Sequence, residues 1–405
     1  MPTATQDLLA VIDIGSAKTT VLVGDPTPDG GICYVGHGIA ETKGVKRGVV
    51  ADLKQASDSV KRAVDAAEKM IETNIGSAFI SVGGAHIRGV NSEAVIQLST
   101  RQREISRDDV RAVVERARQI QMPADRTVIH LLPRHFTIDS QIHVQDPLGM
   151  AASRLAVSLH VITCSASAHQ SMIRAVQDAS VEVLDTVFDG VAAAETLSGF
   201  GESERILGGC VIDIGAGSTD VVVYHEGAVF TSFSIGIGGE HFTSDAAIGL
   251  RCALPDAERM KCIHGAAVVT RVPSENDIEV PAGASPRIVS QRFLAEIIEP
   301  RARELFELIR EQLRAGGALE LLGSGAYITG GVARLMYLDE ICESVLRCPV
   351  HLEAATPLPR LPGELIIPEM ATVTGLLAYA HRTRAAKRVE EQGLRGRIRQ
   401  LFAGA

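Results

Sequence analysis

The sequence predicts an α/β protein built from two related halves, with a smaller α/β unit inserted in the first half and an amphipathic helix at the C-terminus. Three observations point there. The phrase VIDIGSAKTTVLV at 11–23 returns as VIDIGAGSTDVVV at 211–223, with eight identities in thirteen positions; such self-similarity signals a duplicated unit. A chain of 405 residues with 46% hydrophobic content can bury two ordinary cores, and with 4% aromatic residues and no Trp those cores rest on Val, Ile, Leu and Ala. Between FISVGG (79–84) and HVITCS (160–165) lies a stretch with strand and helix signals of its own.

The elements follow in chain order. MPTATQDLLAVIDIG lacks a basic start before its apolar run and enters a strand directly, so it does not read as a secretory signal. No run approaches the ~18 apolar residues of a membrane span. A cytoplasmic protein is the default expectation. In each copy of the repeated phrase an apolar strand ends in Asp-Ile-Gly, passes through small residues and resumes as a second β-branched strand, which is a hairpin. A Walker loop feeds a helix instead, so that motif is excluded.

A tight turn of Gly and Ser can aim successive backbone N–H groups at one anion. Gly15, Ser16, Gly215, Gly217, Ser218, Thr219 and Asp220 are therefore candidate phosphate contacts. Asp13 and Asp213, at the ends of the first strands, would repel phosphate unless a cation intervened, and Mg2+ held through its waters is the expected ion. Two such hairpins facing each other would grip one nucleotide phosphate chain from both sides. Lys18 either neutralises phosphate charge or faces solvent from the turn.

Beyond the first hairpin, SRDDVRAVVERARQI (106–120) reads as a charged helix capped by Ser106, and RTVIHLLPRHFTID (126–139) as further strand. The seven cysteines form no CxxC pair, so they read as small apolar fillers rather than as a disulfide framework, and Cys262 with His264 lacks the second pair a zinc site needs. The net charge of −9 argues against nucleic acid as a partner. It is uneven: residues 381–405 hold seven Lys and Arg against two Glu, a net +5, which leaves −14 for the rest.

The two hairpins resemble those of the actin, sugar-kinase and DnaK-type chaperone superfamily, which implies a duplicated actin-like, ribonuclease H-like ATPase core binding ATP and Mg2+. YITGGVARL (327–335) is similar to that superfamily's adenosine motif, and the resemblance assigns Gly330 and Gly331 to the base. Glu258 and Lys261 in DAERMKCIHG (256–265) resemble the pair that reaches the ribose, although Glu-x-x-Lys is by itself a common solvated helix pair. VFDGVAAAETL (187–197) and ATVTGLLAYA (371–380) are similar to the two connecting helices at the hinge. Asp189 stands where chaperone relatives carry an acidic residue, yet no catalytic residue is assigned and at most slow hydrolysis is expected.

From residue 9 to about 382, including GIGGEHFTSDAAIGL (236–250) with Gly238 and Gly239, and IIEPRARELFELI (297–309), the chain resembles the FtsA family of bacterial division proteins. That resemblance implies a core half at 1–84 completed by 165–203 and 373–386, an inserted subdomain at 85–164, and a second half at 204–245 completed by 320–372. It further implies a subdomain over the nucleotide at 246–319 and a linker with a membrane-targeting helix at 387–405. The implied partners are the C-terminal peptide of FtsZ, further copies of the chain in a filament, the anionic surface of the inner membrane at the division septum, and later division proteins.

Arg301 would face the FtsZ peptide; alternatively it pairs locally with Glu304 after Pro300. In GLRGRIRQLFAGA, Leu394, Ile398, Leu401 and Phe402 fall on one helical arc of about 100°, flanked by Arg395, Arg397 and Arg399. Burying the four apolar side chains would contribute at most roughly 6–12 kcal/mol, much reduced by partial burial, so one tail should bind lipid weakly and reversibly. The alternative is a terminal helix docked on the protein's own core. A pilus-assembly-type scaffold or a small-molecule kinase of the same superfamily are the competing functions.

Overall fold

The repeated phrase folds as the same object twice. In the computed structural model, which describes residues 8–119, 122–139, 141–281, 286–356 and 358–385, Leu9–Ile14 pairs antiparallel with Lys18–Pro26, and Gly209–Ile214 with Thr219–His225. Equivalent residues keep equivalent registers: Asp13 lies opposite Thr20, and Asp213 opposite Asp220.

Each hairpin seeds a sheet of one topology. The first runs Glu182–Phe188, Ser77–Val82, Leu9–Ile14, Lys18–Pro26, Ile32–Glu41 in spatial order, and the second Val350–Leu352, Gly325–Thr329, Gly209–Ile214, Thr219–His225, Ala228–Ile235. An antiparallel meander occupies one side of each founding strand and two parallel strands the other. Parallel neighbours need crossovers, and helices such as Leu53–Ile71 and Leu338–Leu346 supply them.

Strand alternation sorts the apolar residues into layers. Val11, Leu22, Val211 and Val222 point inward, onto a central layer made by the helix Asp189–Ala194 and helical residues 371–385. Ile12 and Val21 point outward onto Ala56, Val60 and Ala63 of Leu53–Ile71. In the second half Ile212 and Val221 meet Phe242, Leu305 and Phe306. Each fully buried Val, Leu or Ile contributes about 1.5–3 kcal/mol, so the duplicated pattern fixes which face of each sheet looks at the cleft.

The central layer is a tight crossing. A Cβ on Gly375 would collide with the carbonyl of Ala192, whose carbon would lie only 2.7 Å away. Backbone therefore packs on backbone where the two connecting helices meet.

The inserted unit has its own core of Val113, Phe136, Leu155 and Val157. Its helix Arg107–Arg118 begins in a capping box between Ser106 and Asp109. Its strands Arg88–Gln97, Arg154–Ser165, Arg126–Ile138 and Gln141–Val144 do not stand apart from the core. Arg88 pairs with Phe233, which extends the second sheet to nine strands. Buried His160 secures that junction, its ring nitrogens 2.7 Å from Asn91 Oδ1 and 2.8 Å from Ser232 Oγ.

One expectation is corrected, that for the cysteines. The helix Gln291–Ala315 runs on through Pro300. Its buried stripe, Leu294, Ile298, Ala302, Leu305 and Ile309, keeps one face on both sides of the proline, and that burial outweighs a cost of about 3 kcal/mol. Not all cysteines are core fillers: Cys33, Cys164, Cys210 and Cys342 are buried, but Cys262 is exposed, with Sγ 3.3 Å from Glu258 Oε1.

Candidate functional site

The two hairpin turns close in the same way and meet. Gly15 N donates to Lys18 O at 3.1 Å, and Gly215 N to Ser218 O at 3.0 Å. A Cβ on Gly217 would collide with Ser16 Oγ and sit 2.8 Å from Cα of Arg47, so the tip of the second turn rests on the tip of the first. Gly330, at φ +85°, lies against the floor between them; a Cβ there would collide with Asp213 Oδ1 and sit 2.6 Å from the Ile214 carbonyl oxygen. Gly331 faces Glu369.

Four carboxylates converge beneath the turns. Asp213 and Asp220 are buried, whereas Asp13 and Asp189 are half-buried. Ser81 Oγ donates to Asp13 at 2.7 Å and Thr372 Oγ1 to Asp213 at 2.5 Å. Asp220 accepts from Ser234 Oγ, and from Gly84 N at 3.3 Å. Among the described residues, Asp189 Oδ1 is buried without a hydrogen-bond partner. A Cβ on Gly83 would strike the Asp189 carboxylate and lie 2.7 Å from Asp220 Oδ2, so these two face each other across a glycine.

Burial raises all four carboxyls, and repulsion from neighbouring carboxylates reinforces it at Asp189, Asp213 and Asp220. Asp213 is pushed up to about 7 by burial and by Asp220 and Asp13, against the Thr372 bond and Lys18. Asp220 reaches about 6 through burial, with the Ser234 and Gly84 bonds opposing. Asp13 is raised by burial, opposed by Ser81 and Lys18. Asp189 is raised well above the usual carboxylate range, by burial and then by Asp220, Asp13 and Asp213. Lys18 is half-buried, with Nζ 3.9 Å from Met370 Sδ, and its charge opposes the rise at both Asp13 and Asp213.

This donor set suits a hard divalent cation, because it is all oxygen and carries uncompensated charge. Among the described residues no three acidic, His or Cys side chains come close enough to ligate one ion directly. Mg2+ would be held through its own water shell, as it commonly is.

Gly238 and Gly239 open the helix Gly239–Leu250, but Gly239 N and Glu240 N donate to the carbonyls of Gly215 and Ala216 at 2.9 and 2.8 Å. Its first amides therefore lock the second hairpin turn in place. Glu258 and Lys261 lie on Leu254–His264 with Nζ 2.7 Å from Oε2. Lys261 also donates to Gly239 O at 3.1 Å and Thr243 Oγ1 at 2.9 Å, so the lysine end of the pair is tied to the same helix start while the Glu258 end stays exposed. Burial works against the Glu258 charge, yet bonds from Lys261 and Thr243 hold its carboxyl below the usual range.

Arg301 lies on the long helix Gln291–Ala315. It pairs with Asp245 at 2.7 Å and with Glu304, so both carboxylates already engage its guanidinium. Nearby, Val269, Thr270, Glu296, Glu299, Pro300 and Arg303 line a shallow groove of about 430 Å3. Leu394, Arg395, Arg397, Ile398, Arg399, Leu401 and Phe402 lie outside the described residues. Among the described residues no helix is long and apolar enough to cross a membrane.

Sequence reading did not single out Ser81, Ser234, Gly84 or Thr372, which hold the carboxylates. Their only signal was a hydroxyl or glycine inside otherwise apolar runs.

Duplicated five-stranded sheets, crossed connecting helices and paired turns over a carboxylate floor define the class: this is an actin-like fold. Solved structures of that kind align along nearly the whole chain. The PilM-PilN type IV pilus biogenesis complex superposes with a TM-score of 0.64 at 16% identity, covering 92% of this chain and 98% of the other. MreB5 of Spiroplasma citri bound to ADP gives 0.54 at 15% identity, covering 95% and 99%. At sequence level, a family model for the SHS2 domain inserted in FtsA matches residues 84–163, and the model for cell division protein FtsA matches 210–375. Cell division protein FtsA of Pseudomonas aeruginosa is 35% identical over 374 residues, covering 92% of this chain and 89% of the relative. The Escherichia coli K12 protein is 33% identical over 381 residues, covering 92% and 90%. The chain belongs to the FtsA family of cell division proteins.

Proposed function

We propose that this division protein binds ATP with Mg2+ between its two hairpin turns, polymerises, and links FtsZ filaments to the cytoplasmic face of the inner membrane at the septum, where it helps recruit later division proteins. The observation that carries the reading is the contact of Gly217 with Ser16 above Asp13 and Asp213, since two like turns closing over one acidic floor suit a phosphate chain bridged by a cation. When bound, Mg2+ supplies positive charge that screens phosphate from carboxylate. Gly15, Ser16, Lys18, Gly215, Gly217, Ser218, Thr219 and Asp220 would surround the phosphates, Gly330 and Gly331 the base, and Glu258 with Lys261 the ribose. Catalysis is not assigned to any residue.

Residues 394–405 would form the lipid anchor, with 387–393 as linker. Each arginine beside anionic lipid adds about 1 kcal/mol, and head-to-tail polymerisation would convert many weak anchors into stable attachment. Residues 246–319 would receive the FtsZ tail, with Arg301 at the edge only if a peptide carboxylate displaces Asp245 or Glu304. Arg301→Glu with unchanged FtsZ-tail binding would remove it from that site. The whole reading is tested by sedimentation with anionic lipid vesicles, with and without ATP and FtsZ. ATP-dependent co-sedimentation that carries FtsZ along and disappears on deleting 394–405 is expected; vesicle binding indifferent to that deletion would overturn the tether.

A further inference from the structure

A third turn meets the two repeated ones. Val45–Lys46 pairs antiparallel with Val49–Val50, Lys46 opposite Val49, leaving Arg47 and Gly48 as a two-residue turn with φ +52° and +75°. Positive φ at both central positions is the type I′ arrangement, which strongly favours Asn-Gly, Asp-Gly or Gly-Gly. Here an arginine takes the first position at a cost in backbone strain.

That turn touches both phosphate turns. Gly48 N donates to Ser16 Oγ at 3.3 Å, and Thr42 N, just before this small hairpin, donates to Ala17 O at 3.0 Å. From the other half, a Cβ on Gly217 would lie 2.8 Å from Arg47 Cα and 2.9 Å from its N. The Arg47 carbonyl oxygen in turn sits 2.7 Å from where a Gly84 Cβ would be, beside the amide that Asp220 accepts. Arg47 is therefore the residue at which the first turn, the second turn and the start of the inserted unit meet.

Its side chain is exposed, and among the described residues the guanidinium makes no hydrogen bond or ion pair. The nearby floor holds four carboxylates against Lys18. A triphosphate adds charge to that floor, with the largest single share, about half, on the terminal phosphate. A diphosphate leaves the outer end empty.

We propose that the Lys46–Val49 turn is a third wall of the nucleotide site and that Arg47 binds the terminal phosphate of a nucleoside triphosphate, so that this chain distinguishes triphosphate from diphosphate. The inference rests on reading the cleft as a nucleotide site. It accounts for an arginine where the turn would favour Asn, and for an unpaired guanidinium at the junction of both halves.

The test is calorimetric titration of the full chain with Mg-ATP and with Mg-ADP, for wild type, Arg47→Asn and Arg47→Lys. Asn is chosen because it suits the left-handed turn position, so loss of the cation is separated from loss of the turn. A lost charge-assisted contact predicts about 10- to 100-fold weaker ATP binding in Arg47→Asn, with ADP changed less than about threefold and Lys recovering part of the difference. Equal weakening for both nucleotides, or no change for either, overturns the role of Arg47 while leaving the nucleotide site intact. A wild type that binds neither nucleotide overturns both.

Discussion

Gly217 at the tip of the second repeated hairpin packs on Ser16 at the tip of the first, with no room for a side chain between them. The two halves of the molecule, 200 positions apart in sequence, thus share one closed end of the cleft.

Widening that contact should open the site. Gly217→Val places branched carbons against Ser16 Oγ and the Arg47 backbone; overpacking of this kind costs about 1–3 kcal/mol. We expect a lower urea midpoint and weakened Mg-ATP binding by titration. Gly363→Ala, where nothing lies within 4 Å, should change neither.

The carboxylate floor should tax the nucleotide-free protein as pH rises. Asp213 has its folded value raised to about 7 against an ordinary 3.8, chiefly by burial. The folded state then holds a proton that the unfolded state has lost, so its stabilising contribution is complete below about pH 4 and disappears as pH climbs through 7. His130 and His160 have opposite sign, being depressed by burial to about 4 and about 3, so they reduce stability as pH falls below 6.5. The comparison of Asp213→Asn with wild type isolates the aspartate. The substitution should stabilise the nucleotide-free protein progressively more from pH 4 to pH 7, by at most about 1.4 kcal/mol per pH unit, as read from urea unfolding. A difference that is flat over that range would contradict the assignment.

The hinge crossing predicts a large effect from one methyl group. In Gly375→Ala the new Cβ would enter the Ala192 carbonyl, forcing the helix Asp189–Ala194 and residues 371–385 apart. Loss of about 1–3 kcal/mol in denaturant unfolding is expected, with altered nucleotide binding because Asp189 begins the displaced helix.

What the sequence disclosed follows from what local pattern encodes. The hairpins, the Ser106 cap and the glycines of the 327–335 strand end were legible because β alternation, capping chemistry and turn composition act over a few residues. Asp189 was visible as a residue, but its opposition to Asp220 across Gly83 arises only when separate strands are brought side by side. The pairing of Arg301 with Asp245 spans 56 positions and left no local mark beyond its neighbour Glu304. The Arg47 turn was readable as Val-Lys-Arg-Gly-Val-Val, yet its importance lies in touching two other turns.

The account stands most directly on calorimetric titration of Mg-ATP into the purified full chain, beside the same titration of Asp13→Asn/Asp213→Asn. It predicts saturable one-site binding by wild type that requires Mg2+ and is strongly weakened when both repeated carboxylates are neutralised. Absence of binding at millimolar nucleotide in a folded wild type, or binding indifferent to both substitutions and to Mg2+, would contradict it.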